Sequence, residues 1–413
     1  MPTTRRSLVL SGGALAMPFL LARRARATDP GEVRIALLTP LSGQWARQGQ
    51  LEKIGAEMAV EDANKSGGIA ALGGAQIRLV TADTGNSVEQ ASSAAQRLVS
   101  QEPDLVAGIG AWLSSFTLAA TEVTERARLP WLTVSWADSI TARGFHYVIA
   151  TSPASSDLMA QTLHPLLALA KKTTGKAPQT VAMISDDTAV GQANGAPLRN
   201  GGTAAFGLKL VMDEIYTPPL SDATAPVQRI RRTRPDFVVL NASNVPDGRL
   251  LLQKVNEFGL GHGRIPILTV SAAWGTPEML KQMGADNLDG VIGVAGNWGS
   301  IKEKALLDSM CQRSGEPWMT QDTLSTYGHV MLIKDAIQRA GGTDRDKVMA
   351  ALLATDTTTG PAQYFLGERL RFRPNGRRMD AVAGVFQWKD GKPLTVSPEA
   401  DAFTALSWPA HPA

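Results

Sequence analysis

Cysteine is nearly absent from the 413-residue sequence, and this scarcity limits the chemistry that the chain can perform. The single thiol, Cys311, cannot form an intramolecular disulfide or a thiolate metal cluster. The five histidines are scattered, and no two have the i, i+3 or i, i+4 spacing that places metal ligands on one helix face. We therefore expect no metal site and no other cofactor.

Motifs of common enzyme classes are also missing. The sequence contains no G-x-S-x-G nucleophile elbow, no phosphate-binding G-x-x-x-x-G-K-[ST] and no H-E-x-x-H zinc motif. Gly108-Ile109-Gly110 supplies only the first half of the dinucleotide-binding G-x-G-x-x-G. These absences predict a protein that is not an enzyme, with a hydrolase or dehydrogenase on the same fold as the alternative.

Positive charge is concentrated at the N-terminus, and the remainder of the chain is slightly acidic. Residues 1–27 hold five arginines and no acid, which leaves 36 lysines and arginines against 38 aspartates and glutamates. The formal charge of that remainder is −2, so it lacks the basic surface that nucleic acid requires. We expect no nucleic-acid partner.

The N-terminal segment has the features of an export signal. A charged start, an apolar stretch and the small-x-small sequence Ala25-Arg26-Ala27 predict a signal peptide over residues 1–27. The segment from Thr4 to Val9 is similar to a twin-arginine signal, so we expect the twin-arginine route to the periplasm. An uncleaved anchor over Leu8 to Ala22 is the alternative, and the mature chain has no stretch able to cross a bilayer.

From residue 33 onward, apolar strand-like runs alternate with segments of helical spacing. The runs "VRIALLTPL", "QIRLVTADT" and "LVAGIG" fit this order, and the alternation restarts after "FHYVIAT". It predicts an α/β protein with two tandem units, each built on a doubly wound parallel sheet. The C-terminal part predicts hairpin strands around Pro374-Asn375-Gly376.

Three strand-end loops carry tryptophan beside polar side chains, at the sheet edge where doubly wound folds bind ligands. A helix beginning near Ser114 would present free N–H groups and hydroxyls to an anion, and plain N-capping is the alternative. Asp138 could instead cap a helix from Ser139, and Trp274 and Trp298 follow later strands that would face the first group. The loop candidates are Trp45 and Gln48 in the first loop, Trp112, Ser114 and Ser115 in the second, and Ser135, Trp136 and Asp138 in the third.

The segment from Arg34 to Thr84, which includes "PLSGQWARQG" and "NKSGGI", resembles the periplasmic leucine/isoleucine/valine-binding protein family. The stretches "ITARGFHYVIAT", "TTTGPAQYF" and "AGVFQWKDGK" extend the resemblance from about Val33 to Pro393. Members of this family are type I periplasmic binding proteins, which deliver solutes to ABC importers of the branched-chain-amino-acid type. The resemblance therefore implies a solute receptor that works with membrane permease subunits.

The resemblance also implies two lobes that close on a solute and are joined by three hinge crossovers. By position the crossovers fall near Ala150–Ser152, Val294–Asn297 and Leu370–Arg373. The expected parts are lobe 1 (residues 31–150 and 295–371), lobe 2 (residues 151–294 and 372–398) and a C-terminal tail (residues 399–413).

Family members hold an amino acid's carboxylate at the loop matching Ser114 and its ammonium near the loop matching Ser135 and Trp136. The second-lobe acid of the family falls at about Ser271, which cannot balance an ammonium. Other family positions that contact the solute, aromatic in relatives, fall at Gln48, Val190 and Asn244. Either Asp138 substitutes for the acid or the ligand has no ammonium, and a quaternary amine between aromatic rings is a further alternative.

These inferences predict an exported, monomeric substrate-binding protein of an ABC importer. Its solute would be a small amino-acid-like compound or a carboxylate with an apolar or aromatic body. The alternative function is a periplasmic ligand sensor of the same fold that signals to a membrane regulator.

Overall fold

A computed structural model of the chain describes residues 31–408. The signal peptide predicted over residues 1–27 and the last five residues of the predicted tail lie outside the described residues. The strands are β1 (Glu32–Thr39), β2 (Gln76–Asp83), β3 (Leu105–Gly110), β4 (Trp131–Thr133), β5 (Val148–Ala150), β6 (Thr180–Asp186), β7 (Lys209–Tyr216), β8 (Phe237–Asn241), β9 (Ile267–Thr269), β10 (Ile292–Ala295), β11 (Asp356–Thr357), β12 (Leu370–Arg371), β13 (Gly384–Lys389) and β14 (Lys392–Ser397).

The α-helices alternate with these strands over most of the described chain. They are α1 (Ala46–Lys65), α2 (Val88–Gln101), α3 (Ser114–Arg126), α4 (Ser155–Thr174), α5 (Ala189–Arg199), α6 (Gly202–Phe206), α7 (Thr224–Thr233), α8 (Val245–Glu257), α9 (Pro277–Met283), α10 (Ala285–Leu288), α11 (Lys304–Ser314), α12 (Gln321–Ala340) and α13 (Arg345–Leu353). Within residues 31–408, none of them is long and apolar enough to cross a membrane.

The first lobe is built on a parallel sheet with the strand order β2-β1-β3-β4-β5. All six residues of β3 are buried, because helices cover both faces of the sheet. The helix α12 returns from the later part of the chain and packs against α1. Their backbones approach closely at Gly55, where a methyl group would lie 2.2 Å from the carbonyl oxygen of Thr323.

The second lobe repeats the same winding and adds a hairpin. Its sheet has the order β14-β13-β10-β9-β8-β6-β7, in which the five strands from β10 to β7 run parallel and β13 is antiparallel to β10. The core of this lobe includes Trp274, Trp298 and Trp388. The strand order of each sheet therefore reverses once among its parallel strands, between β1 and β3 in the first lobe and between β6 and β8 in the second. Ligands of doubly wound folds bind at such switch points.

The long C-terminal hairpin turns at Asp390-Gly391, whereas the sequence predicts hairpin strands around Pro374-Asn375-Gly376. Asp390 and Gly391 both have positive φ, 50° and 74°, as a type I′ turn between two strands requires. Around Pro374-Asn375-Gly376 the structure has only a tight turn with a single antiparallel bridge, between Phe372 and Arg378. Asn-Gly and Asp-Gly are comparable hairpin signals, and the pairing of β13 with β14 selects the Asp-Gly turn.

The chain passes between the lobes three times, after β5, after β10 and between β12 and β13. The first and third passages run side by side. The N–H of Ala150 donates to the carbonyl of Gly376, and the N–H of Arg378 donates to the carbonyl of Ala150, each at 2.9 Å. The fold is thus the type I arrangement of two doubly wound lobes with three crossovers, and the lobe boundaries given above stay a prediction.

Candidate functional site

A cavity lies between the two lobes, at the carboxyl ends of the strands of both sheets. The loops after β3 and β4 form the wall from the first lobe, and the wall from the second lobe follows β6, β8 and β9. Gln321, the first residue of α12, completes the lining. The lining residues are Trp112, Leu113, Ser114, Val134, Ser135, Trp136, Val190, Asn241, Ser243, Val270, Ser271, Ala272 and Gln321.

The N-terminus of α3 opens onto this cavity without a side-chain cap. Its N-cap residue, Leu113, provides no hydrogen-bonding side chain, and the first N–H groups of any α-helix lack intrahelical acceptors. Ser114 Oγ accepts a 3.2 Å hydrogen bond from the N–H of Ala137, so its own hydroxyl hydrogen can still be donated. Backbone donors, a hydroxyl and the positive end of the helix dipole therefore converge at one edge of the cavity.

The wall formed by Trp112 rests on an unusual backbone. Gly110, Ala111 and Trp112 have φ values of 100°, 61° and 24°. Residues other than glycine rarely adopt such positive values. Two hydrogen bonds hold this conformation. Trp112 Nε1 donates to Asp322 Oδ1 at 2.9 Å, and the Trp112 carbonyl accepts from Ser135 Oγ at 2.6 Å. Strain at a residue that lines a cavity is a common feature of functional sites.

Buried acids lie behind this wall, between α1 and α12. Burial raises the pKa of Asp322 to about 7 and raises the pKa of Glu52 well above its usual range. Glu52 also accepts a hydrogen bond from Thr39 Oγ1. Beside them Gln48 is buried, and neither of its amide atoms has a partner among the described residues. Gln48 therefore packs behind the wall formed by Trp112 and does not line the cavity.

Six of the residues proposed from the sequence line the cavity together. They are Trp112, Ser114, Ser135, Trp136, Val190 and Ser271.

Four others lie beside the cavity and have different contacts. Trp45 packs edge-on against Phe116, with ring centroids 5.3 Å apart, in the same cluster as Trp112. Ser115 Oγ faces the second lobe and accepts from the N–H of Ala189 at 3.0 Å. Asp138 accepts hydrogen bonds from the backbone N–H and the hydroxyl of Ser156, near the start of α4. Gln48 is the fourth residue, and it is buried behind the Trp112 wall.

The remaining three have structural positions in the second lobe. Asn244 caps α8, where its Oδ1 accepts from the N–H of Asp247 at 2.8 Å. Trp274 is fully buried, and its Nε1 donates to the carbonyl of Ala242 at 3.3 Å. Trp298 is stacked on Phe386, with ring centroids 4.5 Å apart. None of these three lines the cavity in the part of the chain that the structure describes.

Seven of the thirteen lining residues were not predicted from the sequence, and three of these seven have polar side chains, namely Asn241, Ser243 and Gln321. Ser243 is the most informative of them, because its buried Oγ has no hydrogen-bond partner among residues 31–408. Its N–H donates to Asp186 Oδ2 at 2.7 Å, which holds the loop in place. The signal was present, since Ser243 ends the strand-like run "FVVLNAS".

The residues around the cavity do not form a metal site. Across residues 31–408, no cluster of three or more histidine, cysteine, aspartate or glutamate side chains has a geometry able to hold a metal ion.

Comparison with known proteins gives consistent matches over nearly the whole chain. A family model described as "Periplasmic binding protein" matches residues 32–393. A protein from Brucella suis named Leu/Ile/Val-binding protein homolog 8 is 26% identical over 97% of this chain and 99% of its own length.

Solved structures with the same fold include proteins with different ligands. A branched-chain amino acid transporter substrate-binding protein from Streptococcus pneumoniae, in complex with isoleucine, has a TM-score of 0.75, with 20% identity over 88% of this chain and 97% of that one. An ABC transporter solute-binding protein from R. palustris, in complex with benzoate, also has a TM-score of 0.75, with 18% identity over 92% and 99% of the two chains.

Proposed function

The chain belongs to the periplasmic binding protein family, and from this premise we propose that it is the substrate-binding protein of an ABC importer. Its solute is a small carboxylate with an apolar or aromatic body. The protein acts in the periplasm as a non-catalytic monomer, after export by the twin-arginine route, and delivers the solute to permease subunits. Binding shifts the lobes toward the closed form that the permease recognises.

The observation that carries the proposal is the composition of the cavity. Apolar and aromatic walls from Trp112, Trp136, Val190 and Val270 surround it, and no charged side chain of residues 31–408 lines it. The ligand's charge must therefore be balanced by dipoles, and the uncapped N-terminus of α3 offers them to an anion. The two solved relatives described above hold isoleucine and benzoate, which share a carboxylate and an apolar body.

Thermal unfolding of the mature chain in the presence of candidate solutes tests this function. We expect benzoate, 3-phenylpropanoate or a branched aliphatic carboxylate to raise the unfolding temperature. A solute at 100 times its Kd adds about 2.7 kcal/mol to the free energy of unfolding. Benzamide, which has the ring of benzoate without its charge, is the matched control and should have a much smaller effect. Failure of every carboxylate to stabilise the protein, or conversion of a solute into a product, would contradict the proposal.

A further inference from the structure

Arg377 is a buried cation without a carboxylate partner, located beside the first and third crossovers. It is 5% exposed, and within residues 31–408 no acidic oxygen lies within ion-pair distance of it. Burial lowers its pKa to about 10, so the guanidinium stays charged at neutral pH. Its donors go to backbone carbonyls instead, namely Ala137 at 2.9 Å and Ser135 and Ser152 at 3.4 Å, while Nε donates to Thr141 Oγ1 at 3.2 Å.

These contacts determine how the loop after β4 faces the cavity. In a trans peptide the carbonyl and the following N–H point in opposite directions, and the bond between Ser135 and Trp136 is trans. Because the Ser135 carbonyl accepts a hydrogen bond from Arg377 at 3.4 Å, the N–H of Trp136 points away from the guanidinium. The same relation holds for the Ala137 carbonyl and the N–H of Asp138.

Several acceptors around the cavity are already engaged within the protein. The Ser135 carbonyl is taken by Arg377, and Gln321 Oε1 accepts from the N–H of Gly296 at 2.6 Å. Six lining residues have backbone carbonyls that already accept hydrogen bonds from the protein. They are Trp112, Leu113, Ser135, Trp136, Val270 and Ser271.

The neighbouring acids are likewise engaged away from the cavity. Asp138 accepts from Ser156, and Asp322 accepts from Trp112 Nε1 through Oδ1, while its buried Oδ2 has no partner among residues 31–408. In the second lobe both carboxylate oxygens of Asp186 accept hydrogen bonds, from Thr188 and from the N–H of Ser243. No acidic side chain of the described residues lines the cavity.

We propose that Arg377 makes the cavity selective for carboxylates that lack an amine. It engages the carbonyls of Ser135 and Ala137, so that these acceptors are not available to an amine of the solute. This inference rests on the proposed function and specifies its solute class. Arg377 is a positioning residue, since it does not line the cavity. A buried ammonium would find no acid in the cavity lining, and the six carbonyls named above already accept hydrogen bonds from the protein. Burying an ammonium without a charged partner is costly.

Isothermal titration with matched solute pairs tests the selectivity of the wild-type mature protein. The pairs are leucine with 4-methylpentanoate and phenylalanine with 3-phenylpropanoate, which differ only by the α-amine. We expect the compound without the amine to bind at least about tenfold more tightly, because an unpaired ammonium is strongly disfavoured in a closed site. Equal or tighter binding of the amino acids would overturn the inference and leave the proposed function intact. If no member of either pair binds, the inference fails, and the proposed function fails with it when benzoate also leaves the unfolding temperature unchanged.

Two variants isolate the role of Arg377. Arg377→Met removes the donors to the loop, and we expect the preference for the compound without the amine to fall to less than about threefold. Arg378→Met is the matched control, because Arg378 is equally buried but donates to the carbonyls of Leu366 and Arg369, away from the cavity. The control should keep the wild-type preference. An Arg377→Met protein that folds and retains a tenfold preference would refute the assigned role. If this variant does not fold, the ratio of the two affinities within each pair, measured on the wild type, decides the solute class.

Discussion

Trp112 and Asp322, 210 positions apart in the sequence, are joined by a 2.9 Å hydrogen bond from the indole Nε1 to the buried carboxylate. The bond crosses from the cavity wall to the first turn of α12, and it holds Trp112 at a positive φ of 24°. The wall of the cavity therefore depends on a residue that does not line it. This dependence leads to two of the four predictions below.

The first prediction concerns the partner of Asp322. Trp112→Phe keeps an aromatic wall but removes the N–H donor, which leaves both oxygens of Asp322 without a partner among the described residues. We expect the free energy of unfolding to fall by about 1–3 kcal/mol, the cost of an unsatisfied buried polar group, in urea denaturation. Trp136→Phe is the control, since it replaces another tryptophan of the cavity wall with a smaller ring and leaves no acid without a partner. Equal losses from the two variants would contradict the prediction.

The second prediction is the pH dependence that Asp322 creates. Its pKa is about 7 in the folded protein against 3.8 ordinarily, so the folded state binds a proton that the unfolded state releases. Stability from this group is complete below about pH 4 and is lost as the pH rises to 7, by about 4 kcal/mol in total. Glu52 acts in the same direction, because burial also raises its pKa.

Urea denaturation of the wild type and of Asp322→Asn between pH 4 and pH 8 checks this dependence. As the pH rises from 4 to 8, the free energy of unfolding of Asp322→Asn should increase relative to that of the wild type. Asp346→Asn is the control, because Arg128 and Tyr147 keep the pKa of Asp346 below its usual range, so it titrates outside this window. A constant difference between Asp322→Asn and the wild type would show that Asp322 titrates normally.

The third prediction concerns an ion pair that joins the lobes. Arg47 of α1 pairs with Glu278 of α9 in the second lobe and, at 2.7 Å, with Glu316. Arg47→Met removes the Arg47–Glu278 contact between the lobes, so we expect solute affinity to fall about three- to tenfold, measured by titration calorimetry. Arg34→Met is the matched control, because Arg34 pairs with Glu32 and Glu102 inside the first lobe. Loss of affinity in both variants alike would argue against a closing contact.

The fourth prediction separates two adjacent residues of the second lobe. Ser243→Ala removes a hydroxyl that lines the cavity, and we expect weaker solute binding with little change in stability. Asn244→Ala removes the cap of α8, and we expect a loss of about 1 kcal/mol of stability with little change in affinity. Calorimetric titration and thermal unfolding of both variants measure the two effects. The reverse pattern would show that Asn244 contacts the solute.

Much of the fold follows from local patterns in the sequence. The alternation of apolar runs and helical spacing predicts the order of strands and helices, because periodicity is a property of the chain itself. The strand-end rule then selects loops that border the cavity, since Trp112, Ser114, Ser135 and Trp136 line it. The long hairpin was misplaced, since two turn signals compete in the same segment and only pairing in the sheet decides between them.

The roles of individual residues within those loops depended on the tertiary structure. Ser114 lines the cavity and Ser115 meets the other lobe, and Ser243 lines it while Asn244 caps a helix. Neighbours in sequence diverge in this way because side-chain direction is determined by the local backbone and by partners from distant segments. The sequence alone, through its periodicity and its family resemblance, predicts a periplasmic binding protein with two doubly wound lobes. Only the packing of distant segments could show that Asp322 supports the wall, because such partners meet only when the lobes fold.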